Sequence, residues 1–417
     1  MTGMQRNGRG WFAAAVFICA LALPLLVFPP AGAKAQPGST IPCPKSAPPN
    51  PERPPRPSPP PDVPAHRVVG GERLDTAGLV IPVGAPDPPA NTAVSWLVAD
   101  LDTGRVLGAC GPHEYGTPAS VQKLLVAATF LGKLDPQQVV TVTRQDIDIP
   151  SDSSAVGLVD GGQYSVETLW LGLLLQSGND AANVLARLGG GDGGMAGGVQ
   201  AMNEQAARLG ALQTHAVTPS GYDGPGQFTS AYDLALIARV CFANETFRRY
   251  QLTPNTQIPA QPPNHATFQI QNENQLIYQY PGALGGKTGF TSLARHTYVG
   301  AAERNGRRLV ATLLGSEPRP QRSWQQAAAL LDWGFGLPKT VSVGRLVNPG
   351  ETLAKPSAPP SPSAAPTDLA ELIAAAAGSR WGTTLFVGTG IAVAAGMTVI
   401  AVAVRRGRRR HRGRRRA

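Results

Sequence analysis

An α+β domain built on an antiparallel sheet is predicted by two observations. Strand-like runs lie at both ends of residues 90–347, and apolar runs with helical spacing and helix caps fill the middle. Strands at the two ends of a segment, with helices between, bring the first and last strands together in one sheet.

The elements follow in order. Ser95 to Leu101 and Arg105 to Cys110 flank the turn Asp102-Thr103-Gly104, a hairpin signal. Val121 to Leu131 is an apolar helix directly after Ser120. Val166 to Leu175 is Leu-rich and helical, and Asp180 to Leu188 is a helix ending at Gly189. Gly189 to Gly198 is glycine-rich but follows a helix and lacks the G-x-G-x-x-G spacing of a phosphate cradle, so a flexible loop is expected there. Ser230-x-x-Asp233 caps a helix running through Val240. His296 to Ala302 and Arg308 to Leu314 form a second hairpin about Asn305-Gly306. Ser323 to Trp333 closes the unit, with Trp324, Ala327, Ala328 and Leu331 at helical spacing; Trp324, Trp333 and Phe335 read as core. His296 opens a strand, where a structural role is expected.

The flanks have a different character. Of the 417 residues, 48 are Gly and 40 are Pro, a bias toward turns and linkers that favours one large domain with flexible ends. Residues 1–35 show Arg6 and Arg9, an apolar run from Trp11 to Phe28, and the small-residue triplets Ala31-Gly32-Ala33 and Ala33-Lys34-Ala35, the layout of a secretory signal peptide. Residues 36–89 are expected to be a Pro-rich extracytoplasmic linker, since 13 prolines fall between Gln36 and Pro64. Residues 348–383 read as a second linker with a short Ala-rich helix. Thr384 to Val404 is uncharged for 21 residues, enough at about 1.5 Å per residue to span a hydrocarbon core of about 30 Å as a transmembrane helix. Nine arginines then fall in the tail 405–417, which by the positive-inside rule puts the C-terminus in the cytoplasm and the domain outside. The expected location is therefore the cell membrane, with a single pass and lipid headgroups as partners of the tail.

Those nine arginines, with Arg6, Arg9 and Lys34, account for the net charge of +10: residues 36–404 hold 25 basic and 27 acidic residues, so composition gives no support to nucleic-acid binding. Loss of the signal removes Cys19 and leaves Cys43, Cys110 and Cys241, an odd number that permits any of three disulfide pairs or burial of Cys241 in its helix. No Cys or His spacing suggests a metal, and no cofactor is implied.

Three short motifs carry chemistry. Ser120-Val121-Gln122-Lys123 puts a hydroxyl and an ammonium on one helix face, where a lysine with a lowered pKa serves as base to the serine, at a helix N-terminus rich in free N–H groups. Ser177-Gly178-Asn179 sits in a sharp break between helices and supplies a hydroxyl and an amide. Lys287-Thr288-Gly289 follows Gly285-Gly286 and precedes the second hairpin, its glycine permitting close backbone approach. Each alone is an ordinary cap or turn; together, in this order, they match the S-x-x-K, S-x-N and K-T-G set of serine β-lactamases and penicillin-binding proteins.

With these motifs, and with Pro219-Ser220-Gly221, Thr229 to Leu234 and Pro281 to Gly289 around them, the chain resembles the D-alanyl-D-alanine carboxypeptidases among the low-molecular-mass penicillin-binding proteins, most closely the membrane-anchored actinobacterial type. The resemblance spans about Ala90 to Gly336. It implies a β-lactamase/transpeptidase-like fold with helices on both sides of the sheet and a helical subdomain. It also implies Ser120 as acylated nucleophile, Lys123 as its proton acceptor, and Ser177 as relay to the leaving amine. Asn179 would hold the substrate amide, Lys287 would supply positive charge beside Ser177, and Thr288 would contact the terminal carboxylate. The backbone N–H groups of Ser120 and Phe290, beside Gly289, would form the oxyanion hole. Arg322, or Arg319 three residues earlier, resembles the family's carboxylate-binding arginine. Peptidoglycan stem peptides are the implied partners and β-lactams the implied covalent inhibitors. The chain departs from well-known members in having only some 18 residues between Gly336 and the Pro-rich stretch Lys355 to Pro366, too few for their additional β-rich domain. A class A-like β-lactamase is the rival enzyme, but its glutamate motif E-x-x-L-N has only the near match Glu273 to Ile277, without the Asn and ending ten residues before Lys287. A catalytically silent wall-binding scaffold is the rival of another class.

Overall fold

The structure is a computed structural model that describes residues 40–47 and 54–351. The expected signal peptide, transmembrane helix and Arg-rich tail lie outside the described residues, and no helix among the described residues is long and apolar enough to cross a membrane.

One sheet of seven strands organises the unit. Its members are β1 (Leu79–Val80), β2 (Ser95–Asp100), β3 (Arg105–Cys110), β4 (Ala283–Thr291), β5 (Arg295–Arg304), β6 (Arg307–Ser316) and β7 (Gly344–Arg345). The order is β1-β3-β2-β6-β5-β4, with β7 added to β3, and every pairing is antiparallel. Both expected hairpins form, and their meeting in the centre is the β2–β6 ladder from Asp100↔Leu309 to Ser95↔Leu314. The Lys-Thr-Gly motif precedes the second hairpin as expected, and it lies inside a further strand, β4, which pairs with β5 at the edge of the sheet.

Alternation along β6 sets the layers. Leu309, Ala311 and Leu313 join Trp96 and Val98 under the closing helix α6 (Ser323–Gly336), where Trp96 meets Trp333 edge to face with ring centroids 6.3 Å apart. Emptying such a site, Trp96 being fully buried, costs about 3–5 kcal/mol. Thr312, pointing the opposite way, donates its hydroxyl to the carbonyl of Ala231, the first residue of α5 (Ala231–Ala243), which covers the other face. Ser230 caps α5 through the Asp233 N–H, as its spacing predicts. Of the helices of the middle region, α1 (Lys123–Phe130) packs against α5; α2 (Val166–Leu175) lies on α3 (Asn179–Gly189), and α3 on α1 and on α4 (Gly194–Leu209), which touches α5 less extensively than α1 does.

Two expectations change. The glycine-rich stretch from Gly189 is no flexible loop: after one 3-10 turn it becomes the 16-residue α4, whose buried Gly198, Met202, Ala206 and Leu209 recur at helical spacing. Its glycines serve close packing, since a Cβ on Gly198 would lie 2.1 Å from the Ala186 carbonyl oxygen of α3; contact with a neighbour outweighs weak local propensity. The described parts of the stretch 36–89, residues 40–47 and 54–89, expected as a linker, belong to the folded unit. Leu74 is fully buried, β1 pairs with β3, and a disulfide ties Cys43 to Cys110. That bond selects one of the three possible pairs and leaves Cys241 a buried thiol, donating to the Leu124 carbonyl and pushed up in pKa by burial.

Candidate active site

The nucleophile segment is a 3-10 turn, Ala119–Gln122, that runs into α1 at Lys123. Residues three apart eclipse in a 3-10 turn. Lys123 Nζ accordingly stands 2.7 Å from Ser120 Oγ. The Lys123 side chain is fully buried and donates also to Asn179 Oδ1 at 2.7 Å and to the Ser220 carbonyl at 2.9 Å. Burial, reinforced by the nearby Lys287 charge, holds its pKa well below the ordinary lysine value despite Asp180 and Glu273. Ser120 itself is half-buried.

Ser177 ends the break after α2 in a left-handed conformation, φ 64°, and Ala119 beside the nucleophile has φ 49°. Such backbone costs about 1–2 kcal/mol per non-glycine residue and persists only where the surroundings impose it. The surroundings here are visible. Asn179 N donates to the Ser154 carbonyl, and the buried Asp180 carboxylate takes N–H bonds from Val156, Gly157 and Leu158, locking the loop 152–158 onto the start of α3. From the strand side, Thr297 on β5 donates its hydroxyl to the Pro118 carbonyl.

Strand β4 closes the third side. Lys287 is buried, its Nζ bonded to the Thr288 carbonyl at 2.9 Å, and desolvation pulls its pKa down to about 8 against the opposing charge of Glu273. A Cβ on Gly289 would lie 2.9 Å from the Ser120 backbone nitrogen and 2.3 Å from Thr297 Oγ1. Only glycine lets the strand come this close to the nucleophile turn. Phe290 keeps its ring 52% exposed, tilted against His296 at 4.7 Å between centroids.

These parts line one cleft of about 390 Å³: Ser120, Ser177, Asn179, Thr288, Gly289 and Phe290 share it with Asp152, Tyr222, Asp223, Glu273 and His296. Of the residues expected from the sequence, Lys123 and Lys287 sit just beneath its surface. Arg322 does not line it: it is exposed at the N-cap of α6, its backbone N–H donating to Gln325 Oε1, and its charge is felt at His296 in the wall. His296, read from the sequence as structural, is part of the wall. Two contributors lacked any role in that reading. The Ser220 carbonyl holds Lys123, and Glu273 reaches the cleft from a segment remote in sequence from all three motifs. The motif Pro-Ser-Gly was a signal for the first; for the second the signal was the incomplete glutamate motif Glu273 to Ile277, weighed only for a β-lactamase. No cluster of His, Cys, Asp or Glu able to hold a metal ion occurs among the described residues. A serine hydroxyl held against a buried lysine of lowered pKa, with backbone N–H groups alongside, is equipped for acyl transfer.

Comparison with known proteins agrees. The profile of the D-alanyl-D-alanine carboxypeptidase family matches residues 83–317. The chain is 43% identical over 272 residues to the D-alanyl-D-alanine carboxypeptidase DacB2 of Mycobacterium tuberculosis, across 64% of this chain and 90% of that protein. It is 35% identical to DacD of Salmonella typhimurium, of whose length it spans 64%. Among solved structures, a D-alanyl-D-alanine carboxypeptidase from M. tuberculosis superposes with a TM-score of 0.60 at 42% identity, covering 64% of this chain and all of that one. The Streptomyces K15 DD-transpeptidase does so with a TM-score of 0.57 at 28% identity, over 60% of this chain and all of that one. The chain belongs to the D-alanyl-D-alanine carboxypeptidase family of serine peptidases.

Proposed function

We propose that the chain removes the terminal D-Ala from peptidoglycan pentapeptide stems through an acyl-enzyme on Ser120. The observation that carries this reading is the single lysine nitrogen shared by Ser120 Oγ and Asn179 Oδ1. Neutral Lys123 takes the Ser120 proton as Oγ attacks the carbonyl of the penultimate D-Ala. The developing oxyanion is received by the N–H groups of Ser120 and Phe290. Ser177 passes a proton to the leaving amine under the charge of Lys287, D-alanine departs, and water hydrolyses the ester. With its oxygen engaged by Lys123, Asn179 has its NH₂ to donate to the substrate. A β-lactam presents the same carbonyl, but its leaving nitrogen stays tethered, so the acyl-enzyme persists. Incubation with a fluorescent penicillin, followed by a D-alanine release assay, tests the reading. Stable label with release is expected, whereas transient label would indicate a β-lactamase and no label a silent scaffold.

Arg322 is read as the carboxylate-holding guanidinium, its charge reaching the cleft wall at His296. Arg322→Ala should weaken transition-state binding of a diacyl-D-Ala-D-Ala peptide by about 1.5–3 kcal/mol, the range for a hydrogen bond to a charged group. A C-terminally amidated analogue should lose much less. Equal losses on both would move the role to Thr288 and Lys287.

The flanks complete the proposal as an exported enzyme held by one membrane pass at 384–404, with the domain outside and the arginines in the cytoplasm. A chain ending at Ala354 should then be secreted in soluble, active form while the full chain stays in the membrane fraction. Carbonate-washed membranes that retain the shortened chain would refute the anchor.

A further inference from the structure

Glu273 stands in the cleft for reasons that the reaction described so far does not use. Its backbone is fixed between the two motif segments: its N–H donates to the Leu175 carbonyl, two residues before Ser177. Its neighbours are clamped toward β4. Asn272 Nδ2 donates to the Gln251 and Thr253 carbonyls, and Gln251 Oε1 accepts the N–H of Gly286, the residue before Lys287. Asn274 Oδ1 accepts the Tyr298 hydroxyl at 2.6 Å. Glu273 thus stands exposed at the mouth of the cleft on a backbone fixed from both sides, its carboxylate making no hydrogen bond or ion pair among the described residues.

The charges it meets are the two buried lysines. Lys123 feels the charges of Lys287, Asp180 and Glu273 across the site, and Lys287 feels that of Glu273, without direct ion-pair contact among the described residues. Asp180 is already committed to the N–H groups of loop 152–158. The chemistry asks opposite things of the pair: Lys123 must be neutral to accept a proton, and Lys287 must stay charged. Two ammonium groups in one dry site repel, and a carboxylate beside Lys287 resolves the competition in its favour.

Resting on the carboxypeptidase reading, we propose that Glu273 is a further positioning residue of the reaction, the counter-charge that keeps Lys287 an ammonium while Lys123 serves as base.

The test is the pH dependence of acylation of the full-length protein by a fluorescent penicillin, from pH 5 to 10, for the unaltered protein, Glu273→Gln and Glu273→Asp, with thermal unfolding of each. Removing the negative charge lowers the pKa of Lys287, so the alkaline limb of Glu273→Gln should move down by about one pH unit. Glu273→Asp, which keeps the charge, should leave the limb near its original place. A Gln profile that superimposes on the unaltered one overturns the inference. So does a loss equal at every pH with the limb unmoved, the mark of a merely structural role, or an Asp variant shifted as far as Gln. An unmoved acylation limb with slower loss of label also overturns it, because Glu273 would then be activating the deacylating water. Absence of label on the unaltered protein would defeat the functional reading itself and this inference with it; label with an unshifted Gln profile defeats the inference alone.

Discussion

Ser120→Ala should abolish covalent penicillin labelling and D-alanine release while the domain stays folded. The hydroxyl is half-buried at a 3-10 turn and makes one side-chain contact, with Lys123, so its loss costs about 1 kcal/mol of stability, within the usual range for a residue at a helix start. Chemistry has no such reserve, because no other group occupies the point where Lys123, Gly289 and the Ser120 N–H converge. Mass spectrometry of the labelled unaltered protein should place the adduct on the peptide containing Ser120. An adduct on Ser177 or any other serine would refute the assignment.

Lys123→Ala should slow acylation by about 100- to 10,000-fold, the span lost when a positioned general base is removed. Ser120 is then left with its ordinary, weakly nucleophilic hydroxyl. The Ser220 carbonyl and Asn179 Oδ1 also lose their donor, which loosens the Pro219-Ser220-Gly221 segment. Yet burying an ammonium is itself costly, so the melting temperature should change little compared with activity. Stopped-flow acylation rates beside thermal unfolding separate the two effects. A variant that is unfolded, or one acylated as fast as the unaltered protein, would show that Lys123 is structural.

Much of this arrangement was legible in the sequence because it is local. The α2 span Val166–Leu175, the Ser230 cap of α5 and both hairpins follow from periodicity, caps and turn residues, which neighbours in sequence specify. The three motifs were legible for the same reason, each being four residues or fewer. Where sequence reading failed, contact between distant segments decided. The glycines of α4 signal a loop by propensity and a close-packed helix only when α3 lies against them. The prolines before residue 64 signal a linker until Cys43 finds Cys110, 67 residues on.

The sequence by itself determined the two hairpins, the helices that carry caps and apolar periodicity, the three short motifs and the near neutrality of residues 36–404. Tertiary structure alone decided the protonation chemistry. A lysine becomes a base only when folding removes its water, and whether a nearby charge is Lys287 or Glu273 depends on segments that spacing cannot relate. Folding likewise set the 3-10 register that holds Ser120 against Lys123 and turned His296 and Glu273 into cleft walls. Desolvation and Coulomb energy depend on distance in space, and a single sequence carries only distance along the chain.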